Sequence, residues 1–137
     1  MKKLILIAAV ILMAGITYGQ GLQKGNLIGT HVVTVSLMPG VTMEKFMDFY
    51  KTIVIPEIEK NVPNMKGYIV KGIRGENKDS FGEIFVFKSS QERDKYYNAD
   101  GSDTELGKSV NAKVKPVLDE AAKLGTITTM YTDWVIL

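Results

Sequence analysis

The predicted β-strands of this chain have apolar side chains on both faces, and this feature restricts the fold more than any other. Successive residues of a strand point to opposite sides of a sheet, so a strand with one side in water alternates apolar and polar residues. Three segments lack this alternation. In each segment, apolar residues occur at both even and odd positions and so point to both faces of the sheet. The residues on one face and on the other are Tyr68 and Val70 versus Ile69 and Ile73, Phe85 and Phe87 versus Ile84 and Val86, and Tyr131, Val135 and Leu137 versus Met130, Trp134 and Ile136.

A sheet built from these segments needs cover on both sides. Helices of the same chain can cover one side. Leaving several hundred Å² of the other side in water would forgo on the order of 10 kcal/mol at about 25 cal/mol per Å², which is comparable to the whole stability of a small domain. A second copy laid sheet against sheet is the simplest cover, so the sequence predicts a symmetric homodimer.

The order of predicted elements is strand, helix, strand, strand, helix, strand. The strands are predicted over Thr30–Met38, Lys66–Arg74, Phe81–Lys88 and Ile127–Leu137, and the helices over 42–61, 89–97 and 102–124. Two crossovers around a hairpin predict an α+β fold, a ferredoxin-like βαββαβ sandwich with a four-stranded antiparallel sheet and its helices on one face. We find no repeat or internal linker, so residues 30–137 are predicted to form a single domain.

Candidate capping residues predict where the helices begin, and a proline predicts where the first helix bends. Thr42 is a candidate N-cap of the first helix, and Pro56 is expected to bend or restart that helix because proline lacks an amide hydrogen. Ser89 with Glu92, and Ser102 with Glu105, have the spacing of a capping box and predict the starts of the next two helices.

The first 19 residues have the pattern of a secretory signal peptide. Lys2 and Lys3 precede the apolar run Leu4–Ile16, and Thr17 and Gly19 suit a peptidase site. The run is shorter than the ~20 residues that span a bilayer, so a permanent helical anchor is the weaker alternative. We therefore predict a flexible mature N-terminus over 20–29, no stable membrane span after cleavage, and a bacterial periplasmic or extracellular location.

Charge and composition restrict the chemistry. Without Lys2 and Lys3, the 17 basic residues fall level with the 15 acidic ones, and no basic cluster predicts nucleic-acid binding. The chain has no cysteine and one histidine, His31, so we predict no thiol nucleophile, no Cys/His zinc site and no metal or other cofactor.

Two glycine-containing segments resemble known ligand loops only in part. The segment GSDTELGKS, 101–109, has one residue too many between its glycines for a phosphate loop, and acidic residues would repel phosphate. The segment NADGSD, 98–103, offers oxygen ligands without the glycine position and closing glutamate of an EF-hand. Weak calcium binding at 98–103 stays an alternative to a plain turn.

Most of the mature chain resembles a known superfamily in pattern. The similarity lies in THVVTVSLMPGVTMEKFMDFY from residue 30, MKGYIVKGIRG from residue 65, GEIFVFKSSQERDKYY from residue 82 and the closing TMYTDWVIL. Together they resemble the dimeric α/β-barrel superfamily, which includes antibiotic-biosynthesis-monooxygenase-like and stress-responsive barrel proteins. The resemblance implies a homodimeric α/β barrel with a pocket between sheet and helices in each subunit, which some members use for oxidation, cyclisation or haem degradation.

The resemblance also implies a candidate catalytic residue. Stress-responsive barrel proteins often have a histidine early in the first strand, where this chain has His31. By strand parity His31 shares a face with Val33 and Val35, and this face should look toward the helices. His31 is either a strand residue that donates one hydrogen bond or a pocket residue that moves protons. No second histidine occurs, so a two-histidine mechanism is not predicted.

The remaining site candidates are mostly aromatic residues. We predict ligand contacts from Val33, Val35, Tyr50, Tyr68 and Trp134, whose rings would suit a small apolar or aromatic ligand and would otherwise serve as core or interface. Asp133 is unusual in a strand and is expected to lie at a subunit edge and pair with a basic residue, with a catalytic acid as the alternative. The sequence thus predicts an exported homodimer that binds a small molecule, with a cofactor-free enzyme as an extension and a non-enzymatic envelope module as the alternative.

Overall fold

The structure is a computed structural model that describes residues 21–137, so the predicted signal peptide, 1–19, lies outside the described residues. The described part has an α+β fold, as predicted. Its strands are β1 (Leu27–Leu37), β2 (Met65–Lys71), β3 (Phe81–Phe87) and β4 (Gly125–Val135), and its helices are α1 (Met43–Phe49), α2 (Ile55–Asn61), α3 (Ser90–Arg93) and α4 (Glu105–Ala122). A π-helical segment, Tyr50–Val54, joins α1 to α2.

The four strands form one open antiparallel sheet in the order β2-β3-β1-β4. β1 lies in the interior of the sheet, with β3 on one side and β4 on the other. Its register sets Leu27 opposite Phe87 of β3 and Val135 of β4. The two crossover segments, one with α1 and α2 and the other with α3 and α4, lead back to the same sheet, and their buried residues pack on one face of it.

Two clusters of buried residues hold the helices on that face. The first contains Leu27, Val62, Met65, Phe87, Tyr96, Val110 and Val114. The second contains Phe46, Tyr50, Val54 and Ala121. α4 contributes to both clusters because Val110, Val114 and Ala121 recur at helical spacing along its buried side.

The predicted irregularity at Pro56 takes the form of a π-helical segment. The N–H of Ile55 donates to the carbonyl of Tyr50, five residues earlier. Pro56 has no N–H to continue the ladder and falls in the first turn of α2, where a proline is tolerated. The wide turn directs both Tyr50 and Val54 toward the sheet, and both are buried.

The starts of two elements differ from the sequence-based expectations. β1 begins at Leu27, so part of the segment predicted as flexible is paired on both sides by β3 and β4. The N-cap of α4 is Thr104, whose hydroxyl accepts from the N–H of Gly107 at 3.1 Å. The predicted cap, Ser102, instead donates its hydroxyl to Asp100 at 2.6 Å within the preceding turn.

The second face of the sheet carries apolar side chains that are exposed on the outer strands and half-buried on the inner ones. We call this surface the open face; it consists of Ile28, Val32, Tyr68, Val70, Ile84, Val86, Met130 and Trp134, by strand register. Met130 is 74% exposed and Trp134 is 57% exposed. Across residues 21–137, none of the helices has both the length and the apolar character required to cross a bilayer.

Candidate functional site

A cavity of about 340 Å³ lies between the sheet and the helices. Every strand contributes to it, and so do the π-helical segment, α2, α3 and α4. The lining residues are Gly29, His31, Tyr50, Val54, Ile58, Met65, Glu83, Phe85, Phe87, Arg93, Tyr97, Gly101, Leu118, Ile127, Tyr131 and Asp133. Most of the wall is therefore aliphatic or aromatic, as in typical small-molecule sites, and a few polar groups interrupt it.

Three of the polar groups share one row across the sheet. His31 of β1 lies opposite Glu83 of β3 and opposite Tyr131 of β4. Residues that face each other across antiparallel strands project to the same side, so Glu83, His31 and Tyr131 stand side by side on the helix-facing side. Glu83 is buried there, whereas Tyr131 on the edge strand β4 is 51% exposed. Strand register alone thus brings a carboxyl, an imidazole and a phenol together.

His31 and Glu83 are in close contact. The imidazole Nδ1 lies 3.6 Å from Oε2 of Glu83, which is slightly beyond hydrogen-bond distance. Burial raises the pKa of Glu83 to about 7 and lowers the pKa of His31, an effect that the negative charge of Asp133 partly offsets. Near neutral pH the imidazole is therefore mainly uncharged, and both the protonated and the ionised form of the Glu83 carboxyl group are populated.

Glycine at position 29 makes room for Asp133 in the next row of the sheet. Asp133 of β4 lies opposite Gly29 of β1. A Cβ atom at Gly29 would lie 3.1 Å from Oδ1 of Asp133 and 3.9 Å from Nε2 of His31. An alanine side chain there would thus crowd the carboxylate of Asp133 and take up part of the cavity floor.

Arg93 pairs with Asp133 at the side of the cavity. Its Nε lies 3.1 Å from Oδ2 of Asp133, and its Nη1 donates to the carbonyls of Tyr97 and Asn98 at 3.2 and 3.0 Å. The guanidinium carbon lies 5.2 Å from the centre of the Tyr97 ring, within cation–π range. The Arg93 side chain is 11% exposed, so it both holds the turn after α3 against the sheet and balances the charge of Asp133.

Two tyrosines complete the polar part of the wall. Burial raises the pKa of Tyr50 to about 12, with a further contribution from the charge of Glu83, so its hydroxyl stays protonated. The hydroxyl of Tyr131 lies against Gly101, where an added Cβ would come within 2.6 Å of it. Gly101 also has a positive φ of 82°, which favours glycine, and the missing side chain lets the turn approach the tyrosine hydroxyl.

The structure brings together some of the predicted site residues and separates others. His31 and Tyr50 line the cavity. Val33 and Val35 face the helices as parity predicts but pack in the core beyond the cavity lining. Tyr68 and Trp134 lie on the open face, since Tyr68 aligns with Ile84 and Trp134 with Ile28; they do not line this cavity.

Sequence reasoning missed Glu83 and Arg93. Glu83 is a carboxylate within the strand FGEIFVF and is buried, and a charged residue inside an apolar strand was the signal that could have found it. Arg93 is the buried residue of a four-residue helix and has no distinctive sequence pattern. Asp133, expected to pair with a basic residue, contacts Arg93 of the same chain.

The chemistry available in the cavity is that of proton exchange and hydrogen bonding. Glu83 can accept or donate a proton near neutral pH, the neutral imidazole of His31 can accept a proton or a hydrogen bond, and the tyrosine hydroxyls can donate hydrogen bonds. Across residues 21–137, no three His, Asp or Glu side chains are grouped as metal ligands.

In comparisons with known proteins, no family model matches the chain, and no curated protein is significantly similar to it in sequence.

Proposed function

We propose that this chain is an exported homodimeric protein that binds a small apolar or aromatic molecule between its sheet and its helices. The observation that carries the proposal is the cavity of about 340 Å³ with a mainly apolar wall and a few convergent polar groups. This volume is within the range of small-molecule sites, about 300 to 1,000 Å³. His31 is the group most directly placed to orient a ligand, because its ring lies on the cavity floor beside Phe85 and Tyr131.

The proposed assembly is a ferredoxin-like subunit paired into a dimeric α/β barrel. The sheet order β2-β3-β1-β4 and the helices on one face support the subunit fold. The exposed apolar residues of the open face support pairing through the sheet, because a second copy would remove them from water.

Thermal stabilisation by neutral aromatic compounds tests the ligand-binding function. We expect indole or 1-naphthol to raise the melting temperature of the mature protein, since binding to the native state alone stabilises it. The His31→Ala variant should change that shift, whereas Val32→Ala, on the adjacent residue that faces the other side of the sheet, should not. A protein whose melting temperature responds to no aromatic or lipid-like compound would contradict a ligand-binding function.

Acid–base catalysis without a cofactor is the proposed extension of this function. His31 would exchange a proton with the ligand and a tyrosine would stabilise the developing charge, as in a monooxygenase- or cyclase-like reaction. The position of the Tyr131 ring, 5.8 Å from that of His31, makes it the candidate partner. Turnover of a bound compound that is lost in both His31→Ala and Tyr131→Phe would support an enzyme.

A non-enzymatic envelope module is the second candidate function. The exposed apolar residues of the open face favour it, because contiguous apolar surface is typical of protein interaction sites. This function predicts normal behaviour of His31→Ala in every ligand assay and a loss of assembly when the open face is changed.

A further inference from the structure

Glu83 is a buried carboxyl group with little compensation from the protein. Its side chain is 9% exposed and lines the cavity. The nearest basic group is the uncharged imidazole of His31, with Nδ1 3.6 Å from Oε2. A carboxylate removed from water is costly unless donors or a counter-charge replace its hydration, so the anionic form of Glu83 lacks a partner that a ligand could supply.

The charges around the cavity leave Glu83 without a counter-charge. The cavity is lined by two acidic residues, Glu83 and Asp133, and by one arginine, Arg93. Arg93 is engaged by Asp133 at 3.1 Å and by two backbone carbonyls. An anionic ligand would therefore face two carboxylates, whereas a cation would face the uncompensated one.

Aromatic rings surround the same space. Those of Tyr50, Phe85, Phe87, Tyr97 and Tyr131 all line the cavity. The face of an aromatic ring attracts an organic cation while its apolar body packs against the ligand's hydrocarbon part. A buried carboxylate together with aromatic walls is the combination that recognises an ammonium group on an apolar body.

We propose that the cavity selects a small organic ammonium ion, with its charged nitrogen against the carboxylate of Glu83 and its hydrocarbon body among the aromatic rings. The proposal rests on the ligand-binding function above and names the class of ligand. Nε2 of His31, which lies toward the cavity floor near Gly29, accepts a second hydrogen bond from the ammonium group when Nδ1 carries the ring proton.

The protonation of Glu83 makes this binding pH-dependent. The titratable and charged groups that share the cavity with it are His31 of β1, Tyr50 of the π-helical segment, Arg93 and Tyr97 of the α3 region, and Tyr131 and Asp133 of β4. Burial raises the pKa of Glu83 to about 7, so below that pH the ammonium ion must displace a proton. Affinity is expected to rise with pH through about 7 and then level off.

Three ligands that differ only in their terminal group test the proposal by titration calorimetry on the mature protein. They are 2-phenylethylammonium, the neutral 2-phenylethanol and the anionic 3-phenylpropanoate. At pH 8 we expect the ammonium ion to bind at least tenfold more tightly than the alcohol and the carboxylate to bind most weakly. At pH 6 the affinity for the ammonium ion should fall about tenfold with release of a proton, while that for the alcohol should stay constant.

The Glu83→Gln variant separates the carboxylate from the shape of the site. It should reduce the affinity for 2-phenylethylammonium to about that for 2-phenylethanol and leave the alcohol unaffected. Equal binding of the ammonium ion and the alcohol by the unaltered protein at pH 8, tighter binding of the carboxylate, or an unchanged ammonium preference in Glu83→Gln would each overturn the proposal. If that variant does not fold, the pH dependence of the unaltered protein decides the question.

The same titrations distinguish this proposal from the function on which it rests. If indole stabilises the protein but 2-phenylethylammonium shows no advantage over 2-phenylethanol, the cation proposal fails and the ligand-binding function stands. If none of these compounds binds, both fail.

Discussion

Glu83 couples the stability of the protein to pH in an unusual direction. An ordinary exposed glutamate titrates near 4.5, whereas burial raises the pKa of Glu83 to about 7. Between these values the folded chain holds a proton that the unfolded chain has released. Stability contributed by this group is therefore fully present below about pH 4.5 and is lost as the pH rises through 7.

The Glu83→Gln variant should show this loss by comparison. Glutamine does not titrate, so between pH 5 and pH 8 the variant should gain up to about 3 kcal/mol of unfolding free energy relative to the unaltered protein. Titratable groups that lie away from Glu83 are the same in both proteins and cancel in the difference. Urea unfolding at the two pH values measures it, with Glu76→Gln in the exposed β2–β3 connection as the control. A difference that does not change with pH would show that Glu83 is not buried in this way.

Arg93 is the second residue whose removal should have a large effect. Arg93→Met keeps the length of the side chain but leaves the carboxylate of Asp133 without its ion pair at 3.1 Å and frees two backbone carbonyls. We expect a loss of about 2 kcal/mol, below the value for a fully buried pair because Asp133 is 30% exposed.

A double-mutant cycle with Asp133→Asn measures the Arg93–Asp133 interaction itself. The asparagine should recover part of the loss in the Arg93→Met background, because the uncompensated charge is then gone. Arg74→Met, at an exposed position in the β2–β3 connection, should be nearly neutral. Additive losses in the double variant would argue against a direct interaction.

At the level of elements, the sequence predicted those helix starts that depend only on neighbouring residues. Thr42 and Ser89 cap α1 and α3 as predicted, and their hydroxyls accept from the N–H groups of Lys45 and Glu92. The start of α4 was misplaced because both Ser102 and Thr104 can cap a helix, and a tertiary contact decides between them. The hydroxyl of Thr104 also donates to the carbonyl of Lys95 at 2.6 Å, which the sequence does not reveal.

The cavity was less predictable than the strands, because its lining also depends on contacts between residues that are distant in the sequence. Parity placed His31 on the helix-facing side, but register between distant strands, which parity does not specify, sets Glu83 beside it. The same register places Tyr68 and Trp134 on the open face. Their aromatic character suited a pocket and an interface equally well, so composition could not choose between the two.

Gly107 allows the first turn of α4 to pack against the turn after α3. A Cβ at this position would overlap the backbone carbonyl oxygen of Tyr96, which accepts the N–H of Thr104 at 3.0 Å. Gly107→Ala should therefore cost about 1 to 3 kcal/mol, although the same change in an exposed helix is usually stabilising. Thermal or urea unfolding measures the loss. Ser109→Ala, at an exposed position of the same helix, should be neutral or slightly stabilising, and a stable Gly107→Ala would contradict the close approach.

At the level of the whole molecule, the two faces of the sheet divide the proposed roles. The helix-facing side contains both core clusters and the cavity, so changes there alter folding and ligand binding together. The open face includes strongly exposed side chains, of which Met130 at 74% exposed is an example. Changes on the open face should therefore affect assembly without affecting the subunit fold.

Substitution of Met130 tests whether the open face pairs with a second copy. The mature chain should be a dimer by size-exclusion chromatography with multi-angle light scattering. Met130→Glu should convert it to a folded monomer, because a charge buried between two sheets lacks a partner while the exposed side chain contributes little to the subunit itself. Leu106→Glu is the matched control, since Leu106 is also a large exposed apolar residue, 48% exposed, but lies on α4. A monomeric unaltered protein at high concentration would contradict sheet-to-sheet pairing, and so would a Met130→Glu variant that remains dimeric.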